Sequence, residues 1–543
     1  MSKIILRTIF IIFFLLFLFI FFLSTYGIET KRFNSTIEKK ISTIEKKIIL
    51  KLDKIKIKID LTEFRLFLST IKPDLKYEQT EIPIKNLKVY VKIPSLIKTE
   101  IDIEKVYINF DEIKIQKIKK IILRIKPSNI KTLLLNNVKS GVVQGIFDLD
   151  FAKNLKLKNY QIVGSTKDLK INVFNKIQLN DIKFQFTINK QISILDNIYG
   201  TINNVDIEKG EIKINNSKNI DISGSMITNL NLDQNQLKKI FSGNLKTDLL
   251  KNIIKVNAQL NNIFMISFDK KFKIKDFSYK IDGVSKKSNI IFTRSFESQF
   301  IDDQIKRLHF NDVKIIFIKK YKKENILKLD GKYKINEGDF KKFNLQNTSS
   351  KNVSKYNLTL KISEKINFEL LNYFKKLNQD ANLEINFLIL KNKFNIKNLK
   401  LIENKNLISI SDLVLDKKFN LIDFKEIIIK TYHDDIKNND FKVSFGKKIL
   451  IEGEIFDSSN IGKLLSNENK KNPLKNINKN ISINFKNINT NLAKQIKNFN
   501  LLGTIEKGKF VKISSKGELD KNKYIDIKLY KNKKLNFLEI YSD

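Results

Sequence analysis

His309 and His433 are the two imidazoles available for acid–base or metal chemistry in this chain of 543 residues, and cysteine is absent. His433-Asp434-Asp435 sets three ligand-type side chains in a row, but Lys437, Asn438 and Asn439 follow at once and the stretch reads as a polar turn. Neither histidine lies in a His-Glu-x-x-His or Gly-x-Ser-x-Gly setting, the spacings that align two zinc ligands on a helix or lift a serine onto a strained elbow. Phe445-Gly446-Lys447-Lys448 has the lysine of a phosphate loop without its glycine frame, and it predicts a hairpin turn. Asp148 and Asp150 alternate with Phe147, Leu149 and Phe151, which marks the outward face of a strand; a calcium loop would need a central glycine and a closing glutamate. Asn34-Ser35-Thr36 matches a glycosylation acceptor, and Ser35 or Thr36 as the cap of the following helix is the simpler reading. The expectation is a protein that is not an enzyme, with no metal and no cofactor.

The elements that carry these residues are strands. Lys54 to Asp60 reads Lys-Ile-Lys-Ile-Lys-Ile-Asp, and the same alternation returns as far as Ile525-Asp526-Ile527-Lys528-Leu529. Side chains of a strand point alternately to opposite faces, so each run is oily on one side and charged on the other. The apolar phase supplies the candidates for contact with an apolar ligand: Ile55, Ile57, Ile59, Val89, Val91, Phe184, Phe186, Ile525, Ile527 and Leu529. Strands that succeed one another without regular intervening helices argue against βαβ units. The expected fold is mainly β: an elongated, curved, trough-like antiparallel sheet with an N-terminal transmembrane helix and a few short helices. Helices are expected at Gln236–Ile254, Ile366–Leu377 and Ile461–Leu465, and linkers at Asn344–Asn357 and Ser466–Asn480.

Ile4 to Leu23 is apolar except for Arg7 and Thr8, about 30 Å of helix at ~1.5 Å per residue, enough to cross a hydrocarbon core. Thr25-Tyr26-Gly27 is a poor cleavage site, which favours an uncleaved anchor. Next, Thr36-Ile-Glu-Lys-Lys-Ile41 recurs as Thr43-Ile-Glu-Lys-Lys-Ile48, an amphipathic stripe that suits a helix lying on the membrane or plugging the end of a sheet. The expected organisation is an anchor at 1–27, an amphipathic helix at 28–52, an N-terminal β module at 53–150 holding Pro73, Pro83, Pro94 and Pro127, and a repetitive sheet body at 151–543.

The formal net charge is +43, yet only six of the 101 basic residues are arginines and the lysines are spread over the whole length. Readers of nucleic acid concentrate arginine on one face. The chain has 41 phenylalanines, and they tend to occupy the apolar phase, as in Phe184-Gln-Phe186, instead of lying among the lysines where bases would stack. No nucleic-acid partner is expected, and most of the charge reads as a solvated face that also discourages edge-to-edge aggregation.

The stretch from Lys85 to Phe110, Lys-Asn-Leu-Lys-Val-Tyr-Val-Lys-Ile-Pro-Ser-Leu-Ile-Lys-Thr-Glu-Ile-Asp-Ile-Glu-Lys-Val-Tyr-Ile-Asn-Phe, resembles the N-terminal region of AsmA-like envelope proteins, and Ile449 to Leu465 resembles that family's strand, Phe-Asp and short helix. The resemblance implies a single-pass bacterial inner-membrane protein with its bulk in the periplasm. It further implies a trough akin to that of TamB and other bridge-like lipid-transfer proteins, which takes phospholipid and works with outer-membrane or periplasmic partner proteins. Leu538 to Asp543 looks like the start of a family segment that normally continues, compatible with a truncated chain and with a strand that ends at the surface. The competing expectation is a non-catalytic scaffold for outer-membrane protein assembly or envelope integrity, its apolar face closed by a second sheet.

Overall fold

The computed structural model describes residues 2–44, 46–63, 65–92, 102–124, 129–152, 156–173, 177–235, 253–296, 304–391, 393–460, 477–491, 495–520, 522–532 and 535–543. It is mainly β, and it divides into two compact units, Met1–Asn229 with Asn261–Phe277 and Leu230–Leu260 with Ser278–Asp543.

The first unit opens with helix α1, Ser2–Thr25, whose apolar side chains are exposed along its length and which is long and apolar enough to cross a membrane. Its end is tied down. The Tyr26 and Gly27 amides both donate to the Phe22 carbonyl, Gly27 takes the left-handed conformation at φ 70, and Lys58 Nζ donates to the Thr25 carbonyl at 2.6 Å. Strand Ile28–Thr30 follows directly and pairs antiparallel with Ile55–Asp60, Ile28 opposite Ile57. The sheet then grows by neighbours in chain order: Arg65–Ile71, Ile84–Val91, Ile103–Lys114, Val138–Phe151, Leu157–Val173, Ile177–Asn189, Ile192–Ile202 and Val205–Asn216.

Helix α2, Asn34–Ile44, is shorter than the repeat suggested: it starts at Asn34, so Ser35 and Thr36 lie inside its first turn, and Ile48 already belongs to strand Ile48–Lys51. Ile37 and its neighbour Phe33 pack on Leu50, Ile55, Leu68 and Val89, so the stripe plugs the sheet. Helices α3, Ile115–Leu123, and α4, Asn129–Asn137, fill the connection before Val138; Ile115 and Ile118 of α3 pack over Leu169, Ile182, Ile198 and Ile207.

In the second unit the meander runs from the Ser278–Phe296 part of strand Ile274–Phe296 through Ile305–Lys320, Asn325–Ile335, Lys341–Ser349, Val353–Ile362, Ala381–Leu390, Lys393–Glu403, Asn406–Asp416, Glu426–His433 and Ile436–Phe445 to Ile449–Asp457. The sheet is mixed, which corrects the purely antiparallel expectation. Lys479–Asn489 joins Ile449–Asp457 in parallel, Ile451 opposite Ile483, a pairing that needs a crossover connection. Antiparallel growth then resumes through Ile496–Glu506, Lys509–Asp520 and Lys523–Asn532 to Leu535–Ser542.

Two further expectations are corrected here. Ile366–Leu377 is a hairpin, with Ile366–Phe368 opposite Tyr373–Lys375, a 3₁₀ turn at Glu369–Leu371 and Asn372 left-handed at φ 46. Asn344–Asn357 lies within two paired strands joined by a tight turn, its polar side chains forming the wet face of a ladder instead of a linker. The helices expected at 236–252 and 461–465 and the linker at 466–476 lie outside the described residues; Asn480 sits in a strand.

Candidate functional site

No group of three or more metal-ligating side chains occurs among the described residues. His433 and Ile436 close a two-residue turn in which Asp434 and Asp435 both have positive φ, the geometry of a tight hairpin, and the ring is exposed. Phe445 faces Ile449 across the next hairpin, as its turn signal predicted. A cleft of about 720 Å³ on the polar face is lined by Lys430, Asp440, Lys442, Glu452, Glu454 and Lys486. Its charges answer one another: Lys430 reaches Asp440 at 4.0 Å, and Lys486 reaches Glu454 at 3.4 Å.

The other candidate is the apolar face. Register places Leu329, Leu345, Leu358, Ile385, Leu399, Ile410, Ile427, Val443, Ile451, Ile483 and Leu501 opposite one another in turn, one per strand, as a row crossing the second unit at right angles to its strands. Every residue of that row is half-buried. Two positions along the same strands, about 7 Å away, Leu401, Ile408, Ile429, Phe441, Phe485 and Phe499 form a parallel row that is buried, from 5% to 9% exposed. Toward the other strand ends, Phe424, Ile449, Ile477 and Ile481 are also buried, with Leu421 and Phe445 packed against Ile449, Ile477 and Ile481. Buried side chains therefore flank the half-buried row on both sides over the strands from Glu426–His433 to Lys479–Asn489, while over the earlier strands the flanking Leu327, Tyr356, Phe387, Phe343, Leu360 and Leu383 are half-buried like the row itself.

The first margin is sealed by the connection Ser363–Asp380, which folds back over the sheet and lays Ile366, Leu371 and Tyr373 on the buried row. A buried polar network holds this strap down. Asn438 and Asn439 donate from Nδ2 to the Leu371 carbonyl at 3.2 and 2.6 Å, Asn438 also to the Asn372 carbonyl, and Asn372 donates to Asp457 at 2.9 Å. Thr431, wholly buried, donates to Asn438 Oδ1 and accepts from Asn439. Tyr373 donates its hydroxyl to Glu403, and the buried Lys375 ammonium donates to the Lys376 and Gln379 carbonyls. Burial opposes the charge on Asp457, yet hydrogen bonds from Ser459, Asn372 and Asn438 hold its carboxyl below the usual range. Burial lowers the Lys375 ammonium. An Asn439→Ala variant leaves the Leu371 carbonyl and the Thr431 hydroxyl without this partner. It is expected to lose about 1–3 kcal/mol in denaturant unfolding, with faster amide exchange confined to the strap.

The sequence-derived candidates divide. Ile525, Ile527 and Leu529 stay on the apolar face, half-buried, with Ile527 continuing the open row through Ser515. Ile57 and Ile59 are half-buried in the first unit. Phe184 and Phe186 are half-buried too, their rings 6.2 Å apart edge to face, with Phe184 against the α3 core. The Phe186 ring lies across Gly164, where a Cβ would come within 2.5 Å of it. Ile55, Val89 and Val91 are corrected: at 1%, 2% and 3% exposure they are a closed core beneath α2, not groove lining. Sequence reasoning passed over Asn438 and Asn439 as part of a polar turn; two adjacent amides inside a β register were the signal that they carry a buried clamp.

No protein-family model matches the chain, and no solved structure does. Over 150 residues it is 31% identical to an uncharacterized protein of Aquifex aeolicus (strain VF5), a match that covers 22% of this chain and 12% of that protein.

Proposed function

We propose that the chain is a membrane-anchored phospholipid carrier: α1 holds it in the inner membrane of a bacterial envelope, the sheet stands in the periplasm, and acyl chains lie in the apolar channel and pass along it between membranes. The observation that carries this reading is the continuous half-buried row from Leu329 to Leu501, flanked on both sides by buried side chains over its middle strands. Each acyl CH₂ taken out of water there gains ~0.8 kcal/mol, and a channel of uniform chemistry sets no deep trap along the way. Movement then needs no reacting group, only a gradient or a driving partner at either end.

Site-specific photo-crosslinking in cells tests it. Probes at Ile410, Ile427 and Ile451 are expected to capture phospholipid; probes at Lys442 and Glu452, on the opposite face, and at the sealed Val89 are expected to capture little. Equal lipid labelling on both faces would sink the carrier reading. A scaffold with the channel closed by a protein partner would show protein adducts, and no lipid, at the same three positions.

A further inference from the structure

We infer that the channel of the second unit takes anionic phospholipids in one orientation, phosphate headgroups along one rim and acyl ends toward the strap, a conclusion that rests on the carrier reading. The two ends of the strands differ in charge. Register puts the turns 321–324, 350–352, 417–425 and 446–448, with Lys391, on one rim, and the turns 336–340, 404–405 and 434–435 with the strap on the other. The first rim carries Lys322, Lys323, Lys417, Lys418, Lys447 and Lys448, all exposed, and none of the six forms an ion pair among the described residues. Of its carboxylates, Asp416 is occupied by the amides of Lys418 and Asn420 in its own turn.

The opposite rim carries Glu337, Asp339, Asp380, Asp434 and Asp435, and several are neutralised locally: Asp380 by Lys341 at 2.8 Å, Glu337 by Arg307 at 3.5 Å, Asp435 by Lys405 at 3.6 Å. An apolar channel beside a row of unpaired ammonium groups, closed on its far side, matches a molecule with a hydrocarbon body and one anionic end.

Phe419 adds an apolar contact at the same rim. It is 62% exposed at a left-handed φ of 61, a costly conformation for an aromatic residue, and its ring stacks on Phe394 at 5.0 Å. The first unit repeats the turn as Asp269-Lys270-Lys271-Phe272, with the same aspartate-to-amide bonds and the same φ. A strained aromatic tip beside two lysines, made twice from the same four residues, suits the zone where glycerol meets phosphate.

The test uses full-length protein purified in detergent and offered an equimolar mixture of phosphatidylglycerol and phosphatidylcholine with identical acyl chains, the bound lipid being counted by native mass spectrometry. The wild type is expected to favour phosphatidylglycerol by about tenfold. A variant with all six lysines changed to glutamine is expected to bind both equally, with phosphatidylcholine uptake unchanged, and D434N/D435N to keep the preference. A six-lysine variant that retains the preference, a control that loses it equally, or a wild type that binds both lipids without preference would each overturn the orientation while leaving the carrier reading intact. A wild type that binds neither lipid overturns the carrier reading itself.

Discussion

A single Ile427→Asp substitution is expected to stop phospholipid transfer between donor and acceptor vesicles, by at least about a hundredfold, in full-length protein that is otherwise folded. Ile427 sits in the row between Ile410 and Val443, with the buried Ile429 beneath the strap on one side and the buried Phe424 and Ile449 on the other. Hydrocarbon passing along the row has no detour. An unpaired carboxylate at the contact surface costs several kcal/mol against an apolar ligand, and each 1.4 kcal/mol is about a factor of ten. The adjacent Ile428 faces Ser409 and Lys442 on the polar side, so Ile428→Asp is expected to change transfer by less than about twofold. Half-burial lets the new carboxylate at 427 reach water when no lipid is present, which keeps the fold. Wild-type transfer rates in the Ile427→Asp protein would remove the channel as a path.

The opposite behaviour is expected at Val89. It is 2% exposed between Leu68 and Val106 and under Ile37 of α2, and an aspartate there has neither water nor a cation within the core. Val89→Asp is expected to cost about 4 kcal/mol or more, the magnitude of an unpaired buried charge, and to release the segment from α2 to Ile103 to limited proteolysis. Because burial favours the neutral acid, the destabilisation is expected to shrink as pH falls toward 5. Protease resistance equal to wild type would mean that α2 does not seal this face.

These two positions show what was legible in the chain and what was not. Val89 and Ile427 are both apolar members of alternating runs, and alternation assigns each to the dry side of its strand correctly. Nothing local tells one from the other, because the difference lies in what arrives from elsewhere: Ile37 packs over Val89, while Ile427 is half-buried among the described residues. The strap was misread as a helix because Ile366, Leu370, Phe374 and Leu377 have helical spacing, while the left-handed Asn372 and the amides of Asn438 and Asn439, contributed from distant strands, hold it as a hairpin. Asn344 to Asn357 looked like a linker because its outward face is amide and hydroxyl; the inward residues Leu345 and Tyr356 were too widely spaced to stand out. The parallel pairing of Ile449–Asp457 with Lys479–Asn489 leaves no mark on either strand, since a ladder's direction depends on its connection. The basic rim was equally invisible as composition: evenly distributed lysines become one-sided only after the meander has sorted alternate turns to opposite ends.

Only Tyr26 and Gly27 separate the long apolar helix from the first strand, and Lys58 bridges back across that joint to the carbonyl of Thr25. Such a connection transmits torque. On the membrane-anchored reading, any tilt that the helix takes up in response to bilayer thickness would be passed to the strand beginning at Ile28 and to its partner Ile55–Asp60, so the first unit would be aimed by the membrane instead of swinging on a leash.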